Sequence, residues 1–373
     1  MNKTFLILFD SYHLYHLPQF EPLIGLLSKD DRFEIFHSTS RTLSVEEFEL
    51  CSEVLQKLPG TYIQAETEDE RASLIKSLEL DIFICGWSRY DLNKFVNKTT
   101  VVGMIYHGIG IKPSYWLDNH ERLDFRLVEG EYRIDQLKKN NINTELHLTG
   151  FIKIDPLFNT NGIDIEEISE KFELDPKKKT ILFAPTFYPS SVEPLGMKIG
   201  EYSKGYNLLI KPHLFTFYLD KFADVNLRPQ MKLLRKLSKK FQHVHLIPPE
   251  CYNIIPFYKI SDVLVTDASS TIYEMLALGK PVIVNRFFKL KLSHQLFRKR
   301  LYKKRLDADM ENDISEFCYQ VTKANDLPKV LDKVFKKHDK NSFLENGFYE
   351  KMLYKTDGKA SIRAKNIILS KLK

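Results

Sequence analysis

Residues 261–285 read SDVLVTDASSTIYEMLALGKPVIVN. An apolar run ends on Asp267, and Ala268, Ser269, Ser270 and Thr271 follow before a helical stretch. The turn ALGKP then leads into a second apolar run, PVIVN. Unbroken apolar runs suit strands covered on both faces, as in a parallel sheet. Strand, turn, helix and strand in that order predict a parallel pair with a crossover helix. Small residues at the helix start expose backbone N–H groups to an anion, and the hydroxyls add donors, so a diphosphate fits. Plain capping by Asp267 or Ser269 accounts for the tetrapeptide on its own. Glu274, inside the helix, is placed to hold a ribose hydroxyl pair.

The same pattern extends outward. Upstream lie TILFAPT (180–186), YNLLIKPH (206–213) and HVHLIP (243–248), with a helical stretch over 225–241. The first part of the chain repeats it: TFLILF (4–9), a helix over 18–27, FEIFHS (33–38), helices over 45–58 and 69–78, DIFICG (81–86), VVGMIYHG (101–108), FRLVEG (125–130) and ELHLTG (145–150). Turn-rich FIKIDPLFNTNGID and a polar stretch to Lys179 separate the two series. The fold class is therefore α/β, as two Rossmann-like domains facing each other across a cleft. The expected bounds are 1–155 and 175–350. A terminal helix over 351–373 is a candidate to fold back on the N-terminal domain.

A chain of 373 residues exceeds what one core usually organises, which agrees with two domains. Hydrophobic content of 43% and charged content of 28% exclude a disordered chain. The longest apolar stretches are too short for a signal h-region or a membrane span. Cys51, Cys85, Cys251 and Cys318 form no CxxC pair, so no zinc or redox motif is expected, and a reducing, cytoplasmic setting fits.

Ligands of open parallel sheets bind beyond the carboxyl ends of the strands. The polar residues at those ends are therefore the site candidates. His213 and Lys211 end YNLLIKPH, where an imidazole and an ammonium suit a phosphate. His107 follows VVGMIY and precedes Gly108 and Gly110; histidine is the usual base for an alcohol. Lys112 is placed to hold an anion. Thr186, after Pro185, opens a further loop. Asp10, His13 and His16 follow the first strand and are candidates to line an acceptor site. Capping and loop-bonding roles are the simpler readings of each. HxxH (His13, His16) lacks the carboxylate pattern of a catalytic zinc site, so no metal is assigned.

These segments, in this order, resemble the CDP-glycerol glycerophosphotransferase family of teichoic-acid and capsule synthesis, a GT-B-type group. The carriers are YHGIGIK (106–112), GFIKIDPL (150–157), FAPTF (183–187), IKPH (210–213) and VTDASSTIYEMLALGKPV (265–282). The family more often has HGTPLK in the first segment, arginine at the place of Lys153 and tyrosine at the place of Ala268. The resemblance implies His107 as the base on the acceptor hydroxyl and His213 on the donor phosphates. It also implies Ser269, Ser270 and Thr271 around the diphosphate, an acidic role for Glu274, and no cofactor. The implied reaction moves a polyol phosphate from a CDP-activated donor to a hydroxyl of a glycan or lipid-linked acceptor. A GT-B glycosyltransferase using a nucleotide sugar, a sugar-nucleotide epimerase and a non-catalytic binding protein are the alternatives.

Net charge is +6, and it is concentrated. Residues 286–305 hold nine Lys or Arg and no acid, interleaved with Phe287, Phe288, Leu292, Leu296, Phe297 and Tyr302. That pattern suits an anionic membrane surface, or a polyanion, and predicts peripheral attachment at the inner face of a membrane. No nucleic-acid motif accompanies it, so nucleic acid is not an expected partner.

Overall fold

The computed structural model describes residues 4–109, 115–116, 118–159, 163–222, 224–305, 314–338, 340 and 342–372. The described residues of 4–109, 115–159 and 347–372 make one compact unit, and those of 163–346 the other.

The first unit holds a parallel sheet of seven strands: β1 (Phe5–Asp10), β2 (Phe33–Ser38), β3 (Thr61–Tyr62), β4 (Ile82–Cys85), β5 (Val101–Ile105), β6 (Phe125–Val128) and β7 (Glu145–Leu148). Their spatial order is β3-β2-β1-β4-β5-β6-β7. The chain runs outward from β1 to β3, then returns to lay β4 on the other side of β1. That reversal makes the β1/β4 boundary a topological switch point. Every residue of β4 and β6 is buried, which is why β4 reads as an unbroken apolar run; β6 also buries Arg126, which donates to the Tyr106 hydroxyl and the Asp118 carbonyl.

The second unit holds β8 (Thr180–Ala184), β9 (Asn207–Ile210), a small antiparallel hairpin of β10 (Lys221–Phe222) and β11 (Val225–Asn226), then β12 (Val244–Leu246), β13 (Val263–Thr266), β14 (Val282–Asn285) and β15 (Tyr319–Val321). The main sheet is parallel, in the order β12-β9-β8-β13-β14-β15. Its switch point lies between β8 and β13, so both switch points sit where a ligand is expected.

Some expectations about local structure shift. Val225 and Asn226 form a strand, and the helix begins at Arg228 with Pro229 in its first turn, where the missing N–H costs nothing. The stretch over 18–27 splits into a 3-10 turn, Leu14–Gln19, containing Pro18, and a helix, Glu21–Leu27. The last helix, Ala360–Lys371, is packed against Glu21–Leu27 in the first unit. Asp155 accepts the N–H groups of Ala360 (3.1 Å) and Ser361 (2.7 Å) and the Ser361 hydroxyl (2.6 Å). The aspartate of GFIKID thus caps that helix from outside it.

Candidate functional site

In the first unit, the ends of β1, β4 and β5 gather imidazoles and aromatic rings. Gly86 directly follows β4. A Cβ there would lie 2.9 Å from His16 Cγ, so only glycine admits the His16 ring at this place. His16 is fully buried, and its ring centroid is 4.7 Å from that of His107. Tyr15 and Tyr115 each bring a ring within 5.2 Å of His107. His107 Nδ1 lies 3.2 Å from the Gly86 carbonyl oxygen. A carbonyl only accepts, so Nδ1 carries the proton, and Nε2 of the neutral ring carries the lone pair. Arg133 steadies this loop: it donates to the Gly108 carbonyl (2.9 Å), pairs with buried Glu129 (2.8 Å) and stacks on Tyr106 and Tyr115.

His13 donates through Nδ1 to Glu47, at 2.9 Å, and Glu47 is buried. Trp87 packs edge-on against His13 and His16, and its indole N–H is buried with no hydrogen-bond partner among the described residues. The Ser11 hydroxyl is in the same position. Buried donors without partners are rare in folded proteins, so these two are candidates for contact with a ligand or a water. Asp10 is engaged within the protein: it accepts from Ser38 (2.8 Å), from buried Arg71 (2.8 Å) and from the Tyr90 hydroxyl. It ties the ends of β1 and β2 together beneath the histidines. Lys112 lies outside the described residues.

In the second unit, Thr186 follows β8 and Asp267 follows β13, at the switch point. Asp267 is wholly buried and accepts both the hydroxyl and the N–H of Ser191, while Asn285 donates to the same Ser191 hydroxyl (3.0 Å). Burial pushes the Asp267 carboxyl up to about 7, against those hydrogen bonds. Thr186 Oγ1 and Asn285 Oδ1 are buried with no partner among the described residues. His213 Nδ1 accepts the N–H of Phe215 (3.2 Å), so its neutral ring carries the proton on Nε2 and presents a donor. Its ring packs on Phe187 and Phe215. Lys211, at the end of β9, is buried.

The three hydroxyls of the DASST turn differ once their protons are counted. Ser270 donates to Glu274 (3.2 Å). Thr266 donates to the Ala184 carbonyl (2.7 Å), so the 3.2 Å contact between Thr266 and Thr271 is a donation from Thr271. Ser269 accepts the Thr271 N–H (3.4 Å) and keeps its own proton to give. Glu274 is fully buried, with Ser270 on one oxygen and the Tyr258 hydroxyl (2.9 Å) on the other. The helix that follows, Thr271–Leu276, is short, so hydroxyls and imidazole weigh more here than a macrodipole.

Residues 92–370 match the model of the CDP-glycerol:poly(glycerophosphate) glycerophosphotransferase family. The chain belongs to this family. The sequence matches none of the curated proteins with which it was compared. Among solved structures, the wall teichoic acid polymerase TagF superposes with a TM-score of 0.68 at 16% identity, over 100% of this chain and 90% of that one. The UDP-GlcNAc 2-epimerase of Neisseria meningitidis, bound to UDP-GlcNAc, gives 0.58 at 15% identity, over 98% and 100%. S. aureus MnaA with UDP gives 0.58 at 14%, over 99% and 97%. At such identities the likenesses concern the GT-B-type fold, which polymerase and epimerases share. The family match is what separates the two chemistries, and it makes the chain a transferase.

For a glycerophosphotransferase, the two switch points divide unevenly. The family match takes in His107, Thr186, Lys211, His213, Asp267 and the DASST turn, but it begins after β1 and β4. Glu47, Trp87, Ser191 and Asn285 escaped the reading of the sequence. Glu47 stands 34 residues from His13, and Ser191 stands 76 residues from Asp267, with no local pattern to connect them. A tryptophan one residue past a strand-end glycine was the single available hint.

Proposed function

We propose that this chain transfers glycerol phosphate from CDP-glycerol to a hydroxyl of a teichoic-acid-type acceptor, with the first unit serving the acceptor and the second the donor. One observation carries the reading beyond family membership: the two strand-end histidines hold opposite tautomers. His107 offers a lone pair at Nε2, which is what proton removal from an alcohol needs. His213 offers an N–H at Nε2, which is what a phosphate oxygen needs.

In this reading His107 takes the acceptor proton as the alcohol oxygen attacks the β-phosphorus of CDP-glycerol. The new oxygen–phosphorus bond forms as the bond from that phosphorus to the bridging oxygen breaks, and CMP leaves. His213, Lys211 and Ser269 bind the phosphate charge that develops on the leaving group. Thr186 completes the donor contacts. Asp267, Ser270, Thr271 and Glu274 hold those groups in place through the hydrogen bonds described above. His13, His16 and Trp87 bind the acceptor, with Asp10 fixing their support.

The basic stretch 286–305 is read as a membrane contact. Leu292, Leu296, Phe297 and Tyr302 are exposed there beside Arg298, Lys299 and Arg300, an apolar and cationic mixture that suits anionic lipid headgroups. No described helix is long and apolar enough to cross a membrane, so any attachment through this stretch is peripheral. The deciding experiment follows CMP release from CDP-glycerol in the presence of a glycerol-phosphate-primed acceptor, with UDP-sugars as controls. Release of a uridine nucleotide from UDP-sugars, with no CMP released from CDP-glycerol, overturns the donor assignment.

A further inference from the structure

The helix Arg228–Lys240 carries a second basic surface, of another kind. Its sequence, RPQMKLLRKLSKK, contains no acid. Met231, Leu234 and Leu237 are buried, so the apolar face is spent on the core of the second unit. Lys232, Arg235, Lys236 and Lys239 are exposed on the other face, and none of the four forms an ion pair among the described residues. Arg228 is held by Asp220. These cations line a groove of about 570 Å³ that Thr216 and Phe217, in the turn after His213, also line. Buried Gln230 of the same helix donates to the Phe187 carbonyl (3.0 Å), and Phe187 packs on the His213 ring. The groove is thus built onto the His213 loop.

We propose that this groove binds successive phosphodiesters of an anionic polyol-phosphate chain, the polymeric product or acceptor of the reaction. The inference rests on the reading of the chain as a glycerol-phosphate transferase. The spacing agrees with it. Cations one helical turn apart recur about every 5.4 Å, and Lys232 to Lys239 spans about 10 Å. A polymer with a phosphate every six backbone bonds repeats about every 7 Å when extended, judged by a polypeptide's reach of about 3.5 Å in three bonds. Two phosphates therefore lie along the helix. A membrane fits less well, because the surface is concave and the helix exposes no large apolar side chain, whereas 292–302 does. A nucleic acid fits less well, because Phe217 alone among the described lining residues is aromatic, and a strand stacks its successive bases on several rings.

The test measures binding of a fluorescent glycerol-phosphate decamer by anisotropy, without donor, across a salt series. The expected log–log salt slope is about −1.4, from roughly 0.7 for each of two phosphates neutralised on a single strand. The variant K232Q/R235Q/K236Q/K239Q is expected to bind about tenfold or more weakly, with a slope near zero. The control K323Q/K329Q/K336Q/K337Q removes the same charge from exposed positions elsewhere in the second unit and is expected to bind as the unaltered protein does. Glutamine keeps helix propensity, and equal thermal melts confirm that both variants fold. The proposal is overturned if the groove variant binds the decamer normally, if both variants lose binding equally, or if the groove is needed for phosphatidylglycerol vesicles or an oligonucleotide but not for the decamer. CMP release with a monomeric acceptor is read separately, so failure of the transferase reading and failure of the groove give different results.

Discussion

His107 and His213 each follow the second strand out from a switch point, on opposite sides of it, and their neighbours prepare them for opposite work. In the first unit that strand, β5, lies beyond β4, which is laid down after the reversal; in the second, β9 lies beyond β8, which is laid down before it. His107 Nδ1 donates a hydrogen bond to the Gly86 carbonyl, while the Phe215 N–H donates one to Nδ1 of His213. One main-chain group therefore decides whether the outer nitrogen is a base or a donor. The same residue type at the same sheet edge does not imply the same role.

The contrast is broken most directly at His107. Replacement by alanine is expected to lower kcat by about 10²–10⁴-fold, the usual worth of a positioned general base, with CDP-glycerol binding retained. Unchanged turnover would remove the base from the scheme. At His213, alanine is expected to cost about 10²–10³-fold in kcat, as loss of one donor to developing charge does, and His213→Gln should recover part of it because an amide N–H can donate. Equal loss in both variants would show that the ring acts through charge rather than through its Nε2 proton.

Smaller changes sharpen the donor side. Ser269→Ala is expected to cost about tenfold in kcat/KM, while Thr271→Val costs less, since Ser269 has a proton to give and Thr271 has spent its own on Thr266. The reverse order would mean that the turn rearranges around the ligand. The last test is thermodynamic. Burial holds the Asp267 carboxyl at about 7, above its unfolded value, so its contribution to stability is full at low pH and is lost as pH rises through 7. Relative to Asp267→Asn, the unaltered protein should therefore lose Tm between pH 5 and pH 8. A Tm difference that stays constant over that range would show Asp267 already ionised in the fold.

Much of the fold was legible because both sheets are parallel and covered. A strand such as Ile82–Cys85 must be apolar along its whole length, and so it announces itself. The site candidates were legible for a related reason: ligands gather at the carboxyl ends of such strands, and His107, His213, Thr186 and Asp267 each stand one to three residues past one. What escaped was long-range pairing. Glu47 behind His13, Ser191 and Asn285 around Asp267, and Asp155 capping the last helix join residues that share no periodicity. The burial of Glu274 and its two hydroxyl partners likewise exist only in the folded unit.

The stretch Ser261–Asn285 shows where the division falls. By itself the sequence determined a strand, a hydroxyl-rich turn, a helix and a strand, and with them the chemistry available at the turn. Only the tertiary structure decided which hydroxyl still has a proton to donate, because that depends on Ala184, a residue of the neighbouring strand 82 positions away. Side-chain type is written in the chain, but a proton goes to whichever acceptor the fold brings within reach.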